Sequence, residues 1–280
     1  MTWAAEHQSV LAAVRRLELE GRPVTVLPVD RAARADPADI PAGAGLVSIG
    51  LANNELGTVQ PVAEVVTRAR ELGALSHVDA GQGPCWLDPH AAQADLVSFS
   101  GHKIGAGGGG LLRAARHVKL EPLLYGGPQE RSRRAGREDV RTAVAVSVAL
   151  AGVGARRVAE ATRVRPLAQR VRAALLEAGG QLTGGEPCLP NFATAVFGDR
   201  RGEDLLLALD LAGIAASSGS ACASGSLDPS HVLLAAGYSL QEALGSLRLT
   251  LSYLTSDADI EMVESALHRL PRAAREKVHG

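Results

Sequence analysis

Helical and strand-like patterns alternate through the first half of this chain, which is typical of a parallel sheet covered by helices. The predicted elements are a helix from Glu6 to Leu19, strands at Val24 to Pro28 and Leu46 to Ile49, a helix from Pro61 to Leu72, and strands at Leu75 to Val78 and Asp95 to Ser98. Asn54, Asp79 and Lys103 each come shortly after a predicted strand. Ligands of open α/β sheets bind at the carboxyl ends of strands, so we expect these three residues to serve one site.

The second half of the chain begins with a long alanine-rich helical stretch from Val140 to Ala178. Beyond it the pattern predicts a strand at Asn191 to Phe197, a helix at Gly202 to Leu211, a Ser/Gly loop at Ser217 to Ser226, a helix at Pro229 to Ala236, a strand at Leu247 to Leu251 and a capped helix from Ser256 to Arg269. We therefore predict an α/β protein. Residues 1–155 form a large domain with a mainly parallel sheet, and residues 156–280 form a bridging helix and a small α+β domain.

Lys103 lies in a short Ser/Gly-rich stretch, residues 98–103, and follows Asp79 by 24 positions. Pyridoxal phosphate (PLP) requires an amine for its aldehyde, a carboxylate beside its pyridine nitrogen and hydrogen-bond donors around its phosphate. The two segments 77–82 and 98–103 contain all three residue types. We therefore interpret Lys103 as a Schiff-base lysine.

The scarcity of lysine supports this interpretation. Of the 29 Lys and Arg residues only Lys103, Lys119 and Lys277 are lysines. A guanidinium group stays protonated and forms no imine, whereas a lysine amine can be deprotonated by its surroundings. Composition alone leaves a surface lysine without a chemical role equally open.

Cys222 stands at the centre of the Ser/Gly-rich segment 217–226. Such small polar residues build no core, so we expect a mobile loop that carries a reactive thiol between two locations. A buried structural cysteine is the commoner fate of this residue type and remains the alternative. Cys85 beside Trp86 and Cys188 between two prolines lack such flanks and are predicted to be structural.

Composition restricts the other functional classes. A formal net charge of -1 gives no electrostatic reason to expect nucleic-acid or membrane binding. The sequence has no run of 18 apolar residues and no signal peptide after Met1, and its three cysteines have no metal-ligand spacing. We expect a reduced, cytoplasmic protein without a structural metal.

Taken together, these motifs resemble the cysteine desulfurases, which are PLP enzymes of the aminotransferase class V group, in the branch whose loop reads Ser-Ser-Gly-Ser-Ala-Cys. The resemblance covers nearly the whole chain in family order. It is carried by Glu6-His7, Asn53 to Gly57, His77 to Gln82, Ser98 to Lys103, Ser217 to Cys222 and Ser246 to Arg248. It implies the fold type I architecture of PLP-dependent transferases.

The resemblance also implies how PLP is held. Lys103 would bind the cofactor and move the Cα proton of the substrate, and Asp79 would pair with the pyridine nitrogen. Gln82 would hydrogen-bond the ring hydroxyl oxygen, while His7 would stack on the ring and shuttle protons. The phosphate-binding positions of the family correspond to Ser100 and His102.

For the substrate, the resemblance implies that Arg248 grips the carboxylate of L-cysteine through a bidentate fork, and that Asn54 helps to orient that carboxylate or the cofactor ring. Cys222 would attack the substrate sulfur and become a persulfide, and L-alanine would leave. A sulfur-acceptor protein would then collect the sulfur. The expected assembly is a homodimer, and iron-sulfur cluster assembly, tRNA thiolation and a specialised biosynthesis remain open as the pathway.

Two departures from the family pattern stand out. Family members carry an N-terminal segment with a Gly/Thr phosphate-binding turn ahead of the position of His7, and this chain begins after it. We therefore expect part of the PLP site to be missing. In the segment 126–137, which resembles the stretch that reaches the phosphate of the neighbouring subunit, Arg137 stands where the family usually has threonine. Arg137 is accordingly a candidate phosphate ligand.

Simpler roles remain for individual residues. Asp79 could cap the segment that follows it, and the pair Asn53-Asn54 could form a turn. His7 alone could be a helix-start histidine, and Arg248 could point to solvent from an alternating strand.

Two other functions also remain open for the chain as a whole. One is another class V PLP enzyme, such as a selenocysteine lyase or an aminotransferase, in which Cys222 is incidental. The other is a catalytically impaired homologue that has a binding or structural role.

Overall fold

The computed structural model describes residues 1–219 and 228–270. The chain divides into two compact units that are interleaved in sequence. We call Ile40–Leu51 and Val62–Arg157 the lysine unit, because it contains Lys103, and Met1–Asp39, Ala52–Pro61 and Val158–Gly280 the arginine unit, because it contains Arg248. The division into residues 1–155 and 156–280 stays a prediction. It assumes that each domain is one continuous stretch of sequence, whereas each compact unit combines separate stretches of the chain.

The predicted elements are present, with ends that differ by one or two residues. The strands are β1 (Thr2–Trp3), β2 (Val26–Leu27), β3 (Leu46–Gly50), β4 (Leu75–Asp79), β5 (Leu96–Ser100), β6 (Gly110–Ala114), β7 (Gln181–Leu182), β8 (Phe192–Val196) and β9 (Ser246–Thr250). The helices are α1 (Gln8–Leu19), α2 (Val62–Glu71), α3 (Gln129–Ser132), α4 (Val140–Glu177), α5 (Gly202–Leu211), α6 (His231–Ala235), α7 (Leu240–Leu244) and α8 (Asp257–His268).

The lysine unit is built on a four-stranded sheet with the order β3-β4-β5-β6. Strands β3, β4 and β5 are parallel, and β6 adds an antiparallel edge. This confirms the predicted mainly parallel sheet and places the ends of β4 and β5 beside each other. The register pairs Asp79 with Ser98, so the residues that follow these two strands emerge from one edge.

Helix α2 forms for a simple reason: it follows Pro61 and repeats apolar residues at helical spacing. Its buried side chains are Val62, Val65, Val66 and Ala69. They recur at intervals of three and four residues and so lie on one face of the helix.

The arginine unit contains the antiparallel sheet β7-β8-β9 together with short helices, which confirms the predicted α+β character of this region. All five residues of β8 are buried, as expected for the central strand. Helix α8 begins with a capping box, in which Ser256 and Asp259 bond each other's backbone N–H groups, as the sequence predicted for a helix start at Ser256.

Helix α4 is long and apolar enough to cross a membrane by length and composition alone, with a mean hydropathy of 1.4 over its most apolar 18-residue window. Within the lysine unit it also packs against the protein. Val146 and Val153 of α4 form a buried apolar cluster with Ile104, next to Cys85. The expectation that the chain does not bind membranes stays a prediction.

Candidate active site

The turn after β4 fixes the carboxylate of Asp79. Its Oδ1 atom accepts the N–H of Gly81 at 2.8 Å and lies 3.4 Å from the hydroxyl of Ser98. A Cβ atom at Gly81 would come within 3.0 Å of the same oxygen, so glycine permits this close approach. The capping role considered for Asp79 is therefore real, and it orients the carboxylate by one oxygen.

His77 supports this edge of the sheet from beneath. Its Nδ1 atom lies 2.8 Å from the hydroxyl of Ser48, and its Nε2 atom lies 3.1 Å from the hydroxyl of Ser98. Burial lowers the pKa of His77 and outweighs the opposing charge of Asp79. The neutral imidazole of His77 therefore connects the three strands β3, β4 and β5. The hydroxyl of Ser98 connects it in turn to the carboxylate of Asp79 at the end of β4.

Lys103 lies in a short 3-10 helix, Gly101–Ile104, that directly follows β5, and its side chain is exposed. The glycine-rich segment folds back over this turn, because the N–H of Gly101 donates to the carbonyl of Gly109 at 2.9 Å. A Cβ atom at Gly101 would lie only 2.9 Å from that carbonyl oxygen. Backbone packing thus fixes the turn that presents the lysine.

The two candidate phosphate ligands face each other at the start of this turn. The hydroxyl of Ser100 lies 2.9 Å from Nδ1 of His102. Gln82 lies half-buried just beyond Asp79, and Arg137 is exposed. No hydrogen bond among the described residues joins Arg137 to the Ser100–His102 pair, and its phosphate role stays a prediction.

The residues of the lysine unit fit PLP. An exposed amine and an anchored carboxylate follow neighbouring parallel strands, and a hydroxyl–imidazole pair lies at the base of the lysine turn. This donor set supplies the three groups that the cofactor requires, on one edge of one sheet. Lys103, Asp79, Gln82, Ser100 and His102 are the residues that would hold it.

In the arginine unit, Arg248 lies on β9 and is half-buried. Its Nη1 atom donates to the carbonyl of Asn54 at 2.7 Å, and its backbone forms a two-bond ladder with Ser217. Arg248 is therefore held on both sides, which argues against the solvent-pointing alternative. Asn54 lies in a turn in which Oδ1 of Asn53 accepts the N–H groups of Glu55 and Leu56 at 2.9 Å.

Glu55 is a buried carboxyl group that sequence reasoning missed. The hydroxyl of Ser230 donates to its Oε2 atom, and both residues are buried. Burial raises the pKa of Glu55 to about 7, although the Ser230 hydrogen bond and the charge of Arg248 act in the opposite direction. The available signal was an acidic residue in the turn 53–57, a segment that carries the family resemblance as a whole.

His7 caps helix α1, since its side chain accepts the N–H of Ser9 at 3.2 Å. The simple helix-start role is therefore present, and the stacking role stays a prediction. Cys222 lies outside the described residues, so its predicted loop is untested.

The other two cysteines are half-buried. Burial raises the pKa of Cys85 and of Cys188, which keeps both in the thiol form.

Comparison with known proteins places these residues in a family. The family model described as Aminotransferase class-V matches residues 1–263. A cysteine desulfurase of Gluconacetobacter diazotrophicus is 42% identical over 274 residues, which cover 94% of this chain and 68% of that protein. A cysteine desulfurase of a Nostoc species is 40% identical over 277 residues, with the same shares of the two chains.

A solved structure of a NifS-like protein superimposes with a TM-score of 0.86 at 28% identity. The similar region covers 95% of this chain and 73% of the other. The match confirms the predicted fold type I architecture.

Proposed function

Because the chain belongs to the class V aminotransferase family, whose enzymes use PLP, we propose that it is a cysteine desulfurase that converts L-cysteine to L-alanine. The observation that carries the proposal is the 42% identity to a cysteine desulfurase over 94% of the chain. The anchored Asp79 and Lys103 on adjacent strand ends supply the matching chemistry.

Lys103 provides the amine that holds the cofactor and moves the Cα proton of the substrate. When bound, PLP supplies a ring that accepts electrons from the substrate carbon. Asp79 keeps the pyridine nitrogen protonated through its anchored carboxylate, and Gln82 bonds the ring hydroxyl oxygen. Ser100 and His102 donate to the phosphate, and we assign His7 to the ring face.

Arg248 and Asn54 orient the substrate carboxylate, which leaves the sulfur to react with Cys222. The Cys222 thiolate forms a sulfur–sulfur bond as the carbon–sulfur bond of L-cysteine breaks. The electron pair of that bond stays with the carbon, which takes a proton and becomes the methyl group of alanine. The sulfur atoms of Cys222 and of the substrate together lose the two electrons that the substrate carbon gains, so no external oxidant is needed.

The exposed apolar side chains of the lysine unit support assembly as a homodimer. They include Leu111, Leu112, Leu123, Leu124, Tyr125, Val140, Val144 and Val148. Val140, Val144 and Val148 recur every four residues and so lie on one face of α4, where exposed apolar side chains indicate an interaction surface. We propose that this surface binds a second copy of the chain and that Arg137 of one copy binds the cofactor phosphate of the other.

The persulfide would pass to a sulfur-acceptor protein in the cytoplasm, and iron-sulfur cluster assembly is the pathway we propose. Incubation of the persulfide form with a purified scaffold protein for such clusters tests the pathway. Transfer of labelled sulfur to the scaffold is expected, and transfer only to a tRNA-thiolation acceptor would contradict the assignment.

The decisive experiment for the activity is an absorbance spectrum of the purified chain mixed with PLP, compared with the spectrum of Lys103→Ala. Addition of L-cysteine and assay of alanine then test turnover, and mass spectrometry locates added sulfur. A lysine-dependent absorbance band, alanine release and sulfur on Cys222 are the expected results. Alanine release in Cys222→Ala at the unchanged rate would instead favour a selenocysteine lyase or an aminotransferase. Absence of the band would favour a binding or structural role.

A further inference from the structure

A buried carboxyl group lies in the arginine unit outside the residues that the proposed function uses. Glu55 is 6% exposed, and Ser230, whose hydroxyl donates to it, is 2% exposed. The same hydroxyl accepts the N–H of Leu233 at 3.1 Å and so caps helix α6. Ser230 is therefore fixed by two partners, one local and one from a distant part of the chain.

Gly219 lies against the same carboxyl group from the other side. A Cβ atom at this position would come within 3.0 Å of Oε2 of Glu55 and within 2.8 Å of Cβ of Ser230. The N–H of Gly219 donates to the hydroxyl of Ser246 at 2.9 Å. Gly219 and Ser230 thus meet at Glu55, although ten residues separate them in the sequence.

The segment between these two residues contains Cys222. The described residues Gly219 and Ser230, which flank it, are both buried in contact with the side chain of Glu55. A chain whose two ends are held together can visit fewer positions than a chain whose ends are free. Contact with Glu55 therefore keeps the two described residues that flank the segment close to each other.

The substrate-binding arginine belongs to the same arrangement. Arg248 donates to the carbonyl of Asn54, the residue before Glu55, and pairs with Ser217, two residues before Gly219. Arg248 is also the charged group that acts on Glu55 among the described residues. The turn 53–55 thereby connects the residue that would hold the substrate with both ends of the segment that would receive its sulfur.

We propose that Glu55 is a positioning residue that ties together both ends of the cysteine-bearing segment and holds them in register with Arg248. This proposal rests on the proposed function, in which Cys222 of this segment receives the substrate sulfur. A buried carboxyl group is costly unless it is hydrogen-bonded, and here its partner is a buried hydroxyl at one end of the segment. An apolar residue would fill the space beside Gly219 but would offer the Ser230 hydroxyl no acceptor.

A second serine–glutamate pair in the same unit offers a matched control. Ser239 caps the five-residue helix α7, as Ser230 caps the five-residue helix α6, and its hydroxyl donates to Glu242 at 2.7 Å. Glu242 is the N3 residue of its own helix and touches neither Gly219 nor Ser230 among the contacts of the described residues. Substitutions there remove a cap and a carboxylate without affecting the ends of the segment.

The test compares Glu55→Ala, Glu55→Gln and Ser230→Ala with Ser239→Ala and Glu242→Gln in the full chain. The first readout is the rate at which iodoacetamide alkylates Cys222, followed by peptide mass spectrometry, which needs no turnover. The second is the rate of persulfide formation on Cys222 after addition of L-cysteine to the PLP-loaded protein. PLP affinity and the melting temperature are measured for each variant.

Glu55→Ala and Ser230→Ala are expected to slow persulfide formation by roughly 10-fold or more, as expected for loss of a hydrogen bond to a charged group. Both should change the alkylation rate of Cys222 while PLP affinity stays unchanged. Glu55→Gln keeps an acceptor for the Ser230 hydroxyl and should recover most of the rate. If Glu55→Ala does not fold, the comparison of Ser230→Ala with Glu55→Gln still tests the proposal.

Equal alkylation and persulfide rates in wild type, Glu55→Ala and Ser230→Ala would overturn the proposal. The same would follow if Glu242→Gln or Ser239→Ala slowed persulfide formation as much as Glu55→Ala does. Failure of the proposed function has a different signature, because wild type would then form no persulfide. The alkylation comparison would still decide whether Glu55 holds the segment.

Discussion

The lysine turn and the ends of the cysteine segment are held by different means. Around Lys103 the backbone is fixed by its own hydrogen bonds and by glycines that let two chain segments touch. At the ends of the cysteine segment a buried, titratable side chain holds two residues that are distant in sequence. The first arrangement is formed by backbone atoms, whereas the second depends on a carboxyl group whose pKa burial raises to about 7.

This difference has a physical basis in what each residue must do. The turn that carries Lys103 needs one fixed geometry, which backbone packing provides without a change in charge. In the proposed function, the cysteine segment receives sulfur and then passes it on. A side-chain anchor, in contrast, responds to ionisation and to substitution of a single residue.

The largest expected effect concerns the carboxylate of the lysine unit. Asp79→Asn keeps an oxygen that can accept the N–H of Gly81, but removes the charge that pairs with a protonated pyridine nitrogen. Alanine formation is expected to fall roughly 100-fold or more, as for the loss of an electrostatic partner of the reacting group. Steady-state assays of alanine formation measure the activity, and thermal melting measures the stability of the variant. A large drop in melting temperature together with the loss of activity would indicate a structural defect instead.

The next prediction tests whether the anchor of the arginine unit titrates. The pKa of Glu55 is raised to about 7, so the folded protein binds the proton more tightly than the unfolded chain does. The resulting stabilisation is complete below the ordinary glutamate pKa and is lost as pH rises through about 7. A shift of this size corresponds to at most about 3 kcal/mol.

Glu55→Gln has no such titration, so its stability relative to wild type should increase between pH 5 and pH 8. Denaturant unfolding at both pH values measures the difference. Glu242→Gln serves as the control, because Glu242 has a lowered pKa caused mainly by the hydrogen bond from the Ser239 backbone. A pH-independent difference for Glu55→Gln would show that the buried carboxyl group does not titrate in this range.

A smaller effect is expected at the lysine turn. Gly101→Ala places a methyl group 2.9 Å from the carbonyl oxygen of Gly109 and 3.0 Å from that of Gly108, and these backbone atoms cannot rotate away. The strain should lower the free energy of unfolding by roughly 1–3 kcal/mol. In the same segment, a Cβ atom at Gly108 meets no atom within 4 Å, so Gly108→Ala is the matched control. Similar unfolding curves for the two variants would contradict the role assigned to backbone packing.

Sequence patterns predicted most of the fold because the long elements have strong periodicity. The helix predicted at Gly202 to Leu211 has those same ends in the structure, and β3, β4 and β5 lie where the apolar runs are. Strand β6 was not predicted, because it follows the glycine-rich segment 105–109 and most of its residues are exposed. Its pairing with β5 depends on tertiary contacts that periodicity does not contain.

For the site, the family resemblance identified the residues with recognisable chemistry and overlooked the groups that hold them. Asp79 and Lys103 follow strand ends, so topology alone brings them to one edge. Glu55 depends on contacts with Gly219 and Ser230, more than 160 positions away along the chain. A single sequence offers no periodic signal for such a contact, because each partner is an ordinary loop or cap residue in its own surroundings.

The smallest expected effect sharpens the contrast between the two serine–glutamate pairs. Glu242 accepts both the N–H and the hydroxyl of Ser239 at 2.7 Å, and these hydrogen bonds lower its pKa. Its contribution to stability is therefore present above the ordinary glutamate pKa and is lost as pH falls, the opposite of Glu55. Glu242→Gln keeps an acceptor for Ser239 but removes the negative charge from the first turn of α7, so it should cost roughly 0.3–1 kcal/mol at pH 7 and much less near pH 3. Denaturant unfolding at the two pH values measures this, and a loss at acid pH as large as at pH 7 would show that the charge of Glu242 contributes nothing.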